Sequence, residues 1–387
     1  MVFKTYKMND MKGKQGMVCM GLLLVLSSCH TGKQITASGL QRKDFQTEVN
    51  GQHTDLFTLS NKQGMEVCIT NYGARVVSIL VPDRNGKRED VVCGFSTITE
   101  YMEQRQNFGS TVGRYIGRIL NARFTLDGVE YKLVPNNGKS GHISHGGNPG
   151  FADRMWKVEQ ADTHRVRLSY LSPDGENGFP GNLKVTLVYS LGEDDNALDL
   201  TYEATTDAPT VLNLSHHSFF NISGNFTKSV EDQQLWVDAD RFTPYDDKKC
   251  VTGEYLPVAG TPLDFRMPHT IGECIDADHP QLKVVNGYDH TWELNTKGDD
   301  TRPAAWVYDP ASGRKMEIFT TEPGMQIYTG NGLKGKMTGK GGIAYPFRSA
   351  VCFETMHFQD SPNQPGFPST VLRPGEVFRS HTVYKFE

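Results

Sequence analysis

Hydrophobic and polar residues alternate in short segments along most of the chain after about residue 45. Residues 124–126 and 129–133 alternate on either side of Asp127-Gly128, and an Asp-Gly pair between two such segments is typical of a two-residue β-hairpin turn. Residues 184–191 and 197–204 alternate in the same way around an acidic turn. A period of two places every second side chain on one face of a strand, so these segments predict half-buried antiparallel strands.

The same pattern predicts another hairpin, in which residues 76–81 and 90–93 flank a turn that contains Asn85-Gly86. A helix is predicted only at residues 97–105. Many short strands with Gly- and Pro-rich turns, and no alternation of strands with helices, favour an all-β fold built as a large antiparallel β-sandwich. Further strands are predicted at residues 55–59, 165–171, 234–239, 316–321 and 378–384.

The first 28 residues have the composition of an export signal. Four lysines precede the apolar run from Met17 to Leu26, which is too short for a stable transmembrane helix but typical of a signal peptide. The run ends in Leu26-Ser27-Ser28-Cys29. This ending resembles a bacterial lipoprotein signal, and the resemblance implies lipidation of Cys29. An ordinary secretory signal with an incidental cysteine is the alternative, because Ser-Ser also suits a plain cleavage site.

Residues 29–46 are polar and lack apolar periodicity, so we predict a tether between a lipid anchor and a single domain at residues 47–387. Loss of residues 1–28 removes four basic residues and one acidic residue, which takes the formal net charge from −5 to −8. This balance argues against nucleic-acid binding, and membrane contact would come from the lipid alone. The expected location is the bacterial cell envelope, periplasmic or at the outer-membrane surface, and a monomer is favoured.

Five cysteines follow Cys29, and none forms a Cys-x-x-Cys pair or a zinc-type spacing. We therefore predict no disulfide framework. His142 and His145 are close enough in sequence to suggest metal ligands, but no carboxylate or cysteine accompanies them at a regular offset. No metal site is predicted from this pair.

Three titratable residues occupy positions that predict acid–base chemistry. Glu354 follows the apolar run Ala350-Val351-Cys352-Phe353, and a carboxylate at the end of a buried strand is costly unless it is paired or used. His145 lies in Ser144-His145-Gly146-Gly147, and His217 lies within the segment 213–221. One carboxylate and two imidazoles in strands and turns can move protons at neutral pH, which indicates an enzyme.

An ordered series of motifs resembles that of the aldose 1-epimerases, also called galactose mutarotases, from about residue 45 to the C-terminus. Each motif alone would be weak, but their common order makes chance agreement implausible. The motifs are residues 113–119, 124–128, His145-Gly146-Gly147, 213–221, 261–266, 287–290, 321–331, Glu354-Thr355 and 360–365.

The resemblance implies a β-supersandwich that interconverts the α and β anomers of free aldohexoses such as galactose and glucose. It implies that His217 protonates the ring oxygen, that Glu354 takes the proton from the anomeric hydroxyl, and that His145 assists at the ring oxygen. No cofactor is required, since ring opening needs only one proton delivered and one removed, although burial must raise the pKa of the base. The resemblance further implies that sugar hydroxyls are held by Arg118, Asp289 and Gln326.

Four positions depart from the family pattern. His216 stands where the family usually has Asn. Because successive strand side chains face opposite sides, only one of His216 and His217 can face a given cleft, and we choose His217. Gly117 replaces a usual Asn, Met356 a usual Gln, and Gln359 a common Pro. These changes concern loop shape and sugar contacts rather than the base.

Two other functions remain open. A non-catalytic carbohydrate-binding lipoprotein on the same fold would hold sugars without turning them over, although a pure binder has no need of a matched acid and base. A glycoside hydrolase normally needs two carboxylates beside the scissile bond. The second carboxylate here would be Asp289, and its motif is the one that the resemblance assigns to sugar binding.

Overall fold

The computed structural model describes residues 34–387, and the predicted signal peptide and Cys29 lie outside the described residues. The described chain folds mainly into antiparallel strands, arranged in three larger sheets and several two-stranded ones. The all-β antiparallel architecture predicted from the alternating pattern is confirmed. No helix in residues 34–387 is long and apolar enough to cross a membrane.

The largest sheet has nine strands and includes both long alternating segments predicted from the sequence. Buried and more exposed residues alternate along strands such as Ala197–Thr206, because only one face of the sheet packs on the core. In order across the sheet, the strands are Lys157–Ala161, Arg165–Ser172, Leu183–Leu191, Ala197–Thr206, Phe378–Phe386, Lys315–Thr320, Ala305–Tyr308, Gln234–Val237 and His269–Thr270.

The centre of the six-stranded sheet is buried on both faces. Its strand Val351–Met356 is buried at every position, which explains why the sequence there is an apolar run rather than an alternating one. In order, the strands are Phe219–Phe220, Val351–Met356, Gly324–Tyr328, Asp289–Glu293, Arg241–Thr243 and Leu256–Pro257.

The remaining strands form a four-stranded sheet and five two-stranded ones. Asp127 and Gly128 both have positive φ angles, 51° and 80°, as expected for the predicted hairpin turn. The four-stranded sheet contains Leu56–Ser60, Glu66–Thr70, Arg75–Pro82 and Arg88–Asp90. The two-stranded pairs are Glu48–Val49 with Gln52–His53, Arg123–Leu126 with Val129–Lys132, Arg118–Ile119 with Ile143–Ser144, Ser110–Val112 with Ser215–His217, and Thr210–Val211 with Val371–Leu372.

One continuous hydrophobic cluster joins the three larger sheets. It includes Leu187 and Ile318 of the nine-stranded sheet, Phe353 and Ile327 of the six-stranded sheet, and Val76 of the four-stranded sheet. The five cysteines in residues 34–387 are all free. A core of this extent stabilises the fold without a disulfide framework.

The predicted helix is Ile98–Gln104, and it begins at a capping box in which Thr97 and Glu100 exchange hydrogen bonds with each other's backbone. The sequence prediction missed a second helix, Pro280–Val285. This helix is only six residues long and has no amphipathic period, so only its initial proline could have indicated it. The 3₁₀ turns are Arg42–Phe45, Leu120–Ala122, Gly138–Ser140, Phe151–Asp153, Glu176–Gly178, Ile271–Glu273, Lys340–Gly342 and Ser361–Asn363.

The described part of the predicted tether, from residue 34 onward, packs against the domain. Leu40 and Phe45 are 5% and 0% exposed and belong to a hydrophobic cluster with Phe95. Arg42 also pairs with the carboxylate of Asp55. This segment therefore differs from a free polar tether. Two isolated apolar residues in a polar stretch produce no periodic signal, so the sequence pattern could not show that they are buried.

Candidate active site

One cleft gathers all six residues for which the sequence predicted a role in catalysis or sugar binding. It has a volume of about 240 Å³. A larger cavity of about 450 Å³ lies beside Leu40, but none of the six residues lines it. The cleft is lined by Gln106, Asn107, Gly117, Arg118, Ser144, His145, His217, Phe219, Asp289, Gln326, Tyr328, Glu354, Met356 and Gln359.

Three neighbouring strands of the six-stranded sheet position the carboxylates and the amide. Gln326 is the register partner of both Glu354 and Thr291, and residues directly opposite each other on antiparallel strands project to the same face. Asp289 lies two residues before Thr291 and therefore faces the same side. The period of the sheet thus places Glu354, Gln326 and Asp289 together at the cleft.

His217 reaches the cleft from a different, two-stranded pair, in which it lies opposite Ser110. Its Nε2 atom is 3.5 Å from Oε1 of Glu354, and both side chains are less than a tenth exposed. The imidazole stacks on Phe219 with 7° between the ring planes. The packing therefore fixes the ring with one nitrogen directed at the carboxyl group.

His216 faces the other way, as alternation along a strand requires. Its Nε2 lies 2.6 Å from Oγ of Ser218 and its Nδ1 lies 3.4 Å from the hydroxyl of Tyr189. Burial lowers the pKa of His216 to about 3. His216 is thus a neutral core residue, and His217 is the member of the pair that lines the cleft.

A tight turn holds His145 beside His217, with the two ring centroids 5.5 Å apart. His145 has a φ of 51°, and its backbone amide donates to the carbonyl of Gly117 at 2.9 Å. Gly146 follows at the point of closest approach, where a Cβ atom would lie 2.0 Å from the carbonyl oxygen of Gly113. The amide of Gly117 donates to Nδ1 of His145 at 3.4 Å, which leaves the ring proton on Nε2.

Burial raises the pKa of the carboxyl group in the site and lowers the pKa values of the two imidazoles. It raises the pKa of Glu354 well above the ordinary value, and the nearby Asp289 raises it further while Arg118 opposes this. Burial lowers the pKa of His217 well below its ordinary value, and His145 lowers it further. Burial and then Arg118 lower the pKa of His145 to about 4. Burial therefore favours the form of the His217–Glu354 pair in which both groups are neutral and the proton is on Glu354 rather than on His217.

Hydrogen-bonding side chains fill the other end of the cleft. Gln326 Nε2 donates to Oδ1 of Asp289 at 2.6 Å, and the Arg118 guanidinium lies 5.9 Å from the ring centroid of Tyr245. Gln359 joins these groups, since its Nε2 donates to the Tyr245 hydroxyl at 2.7 Å and its Oε1 accepts from the backbone amide of Arg118 at 3.2 Å. These side chains present donors and acceptors of the kind that sugar hydroxyls bind.

The family model for aldose 1-epimerase matches residues 55–385. The chain belongs to the aldose 1-epimerase family. Membership makes it an isomerase. A galactose mutarotase from Sus scrofa is 39% identical over 330 residues, which is 85% of this chain and 93% of the relative. An aldose 1-epimerase from Escherichia coli K12 is 36% identical over 339 residues, which is 87% of this chain and 96% of the relative.

Solved structures of family members share the fold. An aldose epimerase homologue from C. elegans superposes with a TM-score of 0.79 and 31% identity, covering 86% of this chain and 99% of the other. A galactose 1-epimerase from Lactobacillus acidophilus gives a TM-score of 0.76 at 28% identity, covering 88% of this chain and 96% of the other. The antiparallel architecture of this chain therefore agrees with that of both solved structures.

Two residues at the hydrogen-bonding end of the site were not predicted to have a role. Tyr245 lies outside every motif, and no sequence signal indicated it. Gln359 was noticed only as a departure from the family pattern. His142, the neighbour of His145 in sequence, contacts Cys250, with 3.2 Å between Nε2 and Sγ. A possible metal-binding group lies elsewhere in this epimerase-family chain, where Cys352 joins His217 and Glu354.

Proposed function

We propose that this protein interconverts the α and β anomers of free hexoses, such as galactose and glucose, by acid–base ring opening and reclosure. The observation that carries the proposal is the contact of 3.5 Å between His217 Nε2 and Glu354 Oε1. An imidazole and a carboxyl group at this distance, inside a cleft lined with hydrogen-bonding side chains, can each address one oxygen of the same sugar. Relatives named galactose mutarotase and aldose 1-epimerase support the assignment.

The single proton of the His217–Glu354 pair is the one that the reaction needs. With the proton on Glu354 both groups are neutral, which burial favours in the empty cleft. With the proton on His217 the pair becomes a carboxylate and an imidazolium, the form that can accept one proton and donate another. A bound sugar stabilises this form, because its C1 hydroxyl donates to the carboxylate and its ring oxygen accepts from the imidazolium.

Ring opening follows from that arrangement. Glu354 takes the proton of the C1 hydroxyl while His217 delivers its proton to the ring oxygen. The bond between C1 and the ring oxygen then breaks to give the open-chain aldehyde. Rotation about the bond between C1 and C2 presents the other face of the carbonyl carbon. Reclosure reverses both proton transfers and restores the pair to its starting state.

The other side chains hold the sugar during rotation of C1. His145 is neutral at working pH, with its proton on Nε2, so it donates a hydrogen bond rather than supplying a proton. Arg118, Asp289 and Gln326 bind hydroxyl groups away from C1. Holding the rest of the ring fixed while C1 turns is the positional contribution of the site.

A non-catalytic sugar-binding protein remains the second candidate. It would need the hydrogen-bonding end of the cleft but would gain nothing from an acid and a base whose pKa values burial shifts in opposite directions. A hydrolase is less favoured, because Oδ1 of Asp289, the second carboxylate, already accepts a hydrogen bond from Gln326 at 2.6 Å.

Polarimetry on freshly dissolved α-D-galactose and α-D-glucose tests the proposal. We expect the wild type to accelerate the change in optical rotation, and Glu354→Gln to lose this activity by about 10²- to 10⁴-fold, the usual contribution of a positioned base. Glu317→Gln, at a partly buried carboxylate of the nine-stranded sheet that pairs with Lys315 outside the cleft, is the matched control and should retain activity. A folded wild type that binds galactose by calorimetry without accelerating the change would establish the binding protein instead.

We also propose that the chain is exported and lipidated at Cys29, in the bacterial cell envelope. The support is the basic start, the apolar run from Met17 to Leu26 and the small residues before Cys29. Growth with a labelled fatty acid should label the wild type and leave Cys29→Ala unlabelled. An unlabelled wild type that is nevertheless exported would indicate a plain secretory signal.

A further inference from the structure

Cys352 lies under the acid–base pair and takes no part in the reaction described above. Its Sγ atom, a ring nitrogen of His217 and a carboxylate oxygen of Glu354 all lie within 4.8 Å of one another. All three residues are buried. Within residues 34–387, they form the only group of three potential metal ligands of these types in which one ligand atom of each lies this close.

The strand geometry explains the cluster. Cys352 and Glu354 are two residues apart on Val351–Met356, so both side chains project from one face of the sheet. His217 reaches that face from the neighbouring two-stranded pair and places Nε2 3.5 Å from Oε1 of Glu354. The three side chains therefore converge on one point without any of them belonging to a mobile surface loop.

The spacing suits a tetrahedral transition-metal ion. Zinc lies about 2.3 Å from a thiolate sulfur and about 2.0–2.2 Å from imidazole nitrogen and carboxylate oxygen, which places ligand atoms about 3.3–3.8 Å apart. The nitrogen-to-oxygen distance of 3.5 Å falls within that range, and Sγ of Cys352 lies within 4.8 Å of a ring nitrogen and a carboxylate oxygen of the other two residues. Three protein ligands also leave a fourth position, and two of the ligands, His217 and Glu354, line the sugar cleft.

We propose that His217, Cys352 and Glu354 form an inhibitory site for Zn²⁺ and similar thiophilic divalent cations. The ion binds the imidazole lone pair of the acid, His217, and the carboxylate of the base, Glu354. Neither group can then exchange a proton with the sugar. The fourth position is filled by water or by a sugar oxygen. Inhibition rests on the function proposed above, whereas binding of the ion does not.

Binding requires two protons to leave. Zinc binds a thiolate and a carboxylate, whereas burial of these side chains favours the neutral thiol and carboxylic acid in the absence of the ion. Coordination therefore converts the thiol to a thiolate and the carboxylic acid to a carboxylate, and releases both protons to solvent. His217 is already neutral and binds through its free lone pair. No oxidation or reduction occurs, and affinity rises with pH.

The choice of ion follows from the ligands. A thiolate and an imidazole favour zinc, cobalt and cadmium, whereas magnesium prefers oxygen ligands and octahedral geometry. The other contact between a histidine and a cysteine, His142 with Cys250, does not belong to a group of three such ligands in the described residues. Zinc should thus bind at one site per chain, and magnesium should have no effect.

Cobalt titration of the purified protein tests binding independently of activity. We expect one Co²⁺ per chain, with the visible bands of a tetrahedral site and a near-ultraviolet thiolate charge-transfer band. Cys352→Ser should lose the charge-transfer band, while Cys274→Ser, a cysteine outside the cleft, should retain it. Absence of the band from wild type, or its persistence in Cys352→Ser, would overturn the proposed site whether or not the protein is a mutarotase.

Mutarotation assays then test inhibition. Zinc should inhibit wild type and Cys274→Ser, a chelator should restore the rate, and magnesium should leave it unchanged. In Cys352→Ser, half-inhibition should require at least tenfold more zinc. Equal sensitivity of the two cysteine variants to zinc would show that the ion inhibits elsewhere. Calorimetry in buffers of different ionisation enthalpy should report release of at least the thiol proton with each zinc ion, and release of none would contradict the ligand set.

Discussion

The side chain of Gln359 lies directly over Gly117. A Cβ atom at Gly117 would be 2.5 Å from Cγ of Gln359, and Gly117 has a φ of 75°. Both positions differ from the family pattern, in which an Asn and a Pro are common. Gln359 therefore occupies the space that a side chain at position 117 would enter, which links the two positions sterically. Its amide then reaches Tyr245 and Gln326, at 2.7 and 3.3 Å.

This coupling predicts a non-additive pair of substitutions. Gly117→Asn should displace Gln359 from its hydrogen bonds, since Asn tolerates the left-handed backbone but its Cβ does not fit. Gln359→Ala removes the same bonds directly. Each hydrogen bond is worth about 0.5–1.5 kcal/mol, so each variant should raise KM for galactose about two- to tenfold with little change in kcat.

The double variant decides whether the two residues act together. Gly117→Asn with Gln359→Ala should raise KM no further than either change alone, because the lost interactions are the same. Gln364→Ala, which loses a hydrogen bond to Asp360 outside the cleft, is the control. Effects that multiply in the double variant would contradict a shared mechanism.

His217 and His216 are adjacent in sequence and offer a matched comparison of catalysis with stability. His217→Asn should lower kcat by about 10²- to 10⁴-fold, because Asn cannot deliver a proton. Its melting temperature should change less than that of His216→Asn, since Nδ1 of His217 makes no hydrogen bond within the described residues and its Nε2 lies 3.5 Å from Glu354. His216→Asn should instead lower the melting temperature, because it disrupts the buried contacts with Ser218 and Tyr189.

Polarimetry and thermal melting, measured on both variants, separate these effects. Activity per folded molecule should remain within a few-fold of wild type in His216→Asn. Equal losses of kcat in the two variants, at equal melting temperatures, would contradict the assignment of His217 as the acid.

The alternating segments made the fold predictable from the sequence, whereas only part of the site could be predicted. Strands such as Ala197–Thr206 follow from their period because one face is buried. Glu354 stood out because a carboxylate after an apolar run is costly. The choice between His216 and His217 also needed only alternation and the family pattern. These are local properties, and local properties can be obtained from a single sequence.

Residues that depend on contacts between distant segments could not be predicted. Tyr245 reaches the cleft from another strand region, and its hydroxyl meets Gln359, 114 positions away. Cys352 looked like an ordinary core residue, because the sequence does not state that His217 approaches the same face. The burial of Leu40 and Phe45 likewise depends on a partner surface that residues 34–46 do not contain.

The shared proton of the His217–Glu354 pair predicts the pH dependence of kcat/KM. The pair is active while it holds one proton. Because the pKa of Glu354 is raised well above its ordinary value, the pair keeps that proton at neutral pH. Because the pKa of His217 is lowered well below its ordinary value, a second proton is added only in acid. Activity should therefore be flat around neutrality and fall on the acid side well below pH 6.5.

A pH profile of kcat/KM, rather than of kcat, reports these groups in the free enzyme. Activity should also fall in alkali, where the pair loses its proton. Arg118 lowers the pKa of Glu354, so Arg118→Gln should raise that pKa further and move the alkaline fall in kcat/KM to higher pH. An acid limb centred at or above pH 6.5 in the wild type would show that His217 is not the buried, neutral imidazole described here.

His381 predicts a second pH dependence, that of stability. It lies on the outer part of Phe378–Phe386 and does not line the cleft. Its Nε2 is 2.7 Å from Asp199 and its Nδ1 is 2.6 Å from Asp300. The hydrogen bond with Asp199, and then that with Asp300, raises the pKa of His381 to about 9, against partial burial.

A group whose pKa is higher in the folded state stabilises that state while it is protonated in both forms, and this contribution disappears as pH rises. For His381 it should be complete below about pH 6.5, the ordinary pKa of histidine, and lost as pH passes through about 9. We expect urea denaturation to show a decline in the free energy of unfolding over this window. His381→Gln should remove that decline and leave mutarotation at pH 7 unchanged, whereas His53→Gln, at an exposed hairpin, should retain it. An identical slope in wild type and His381→Gln would mean that the two aspartates do not hold the proton on His381.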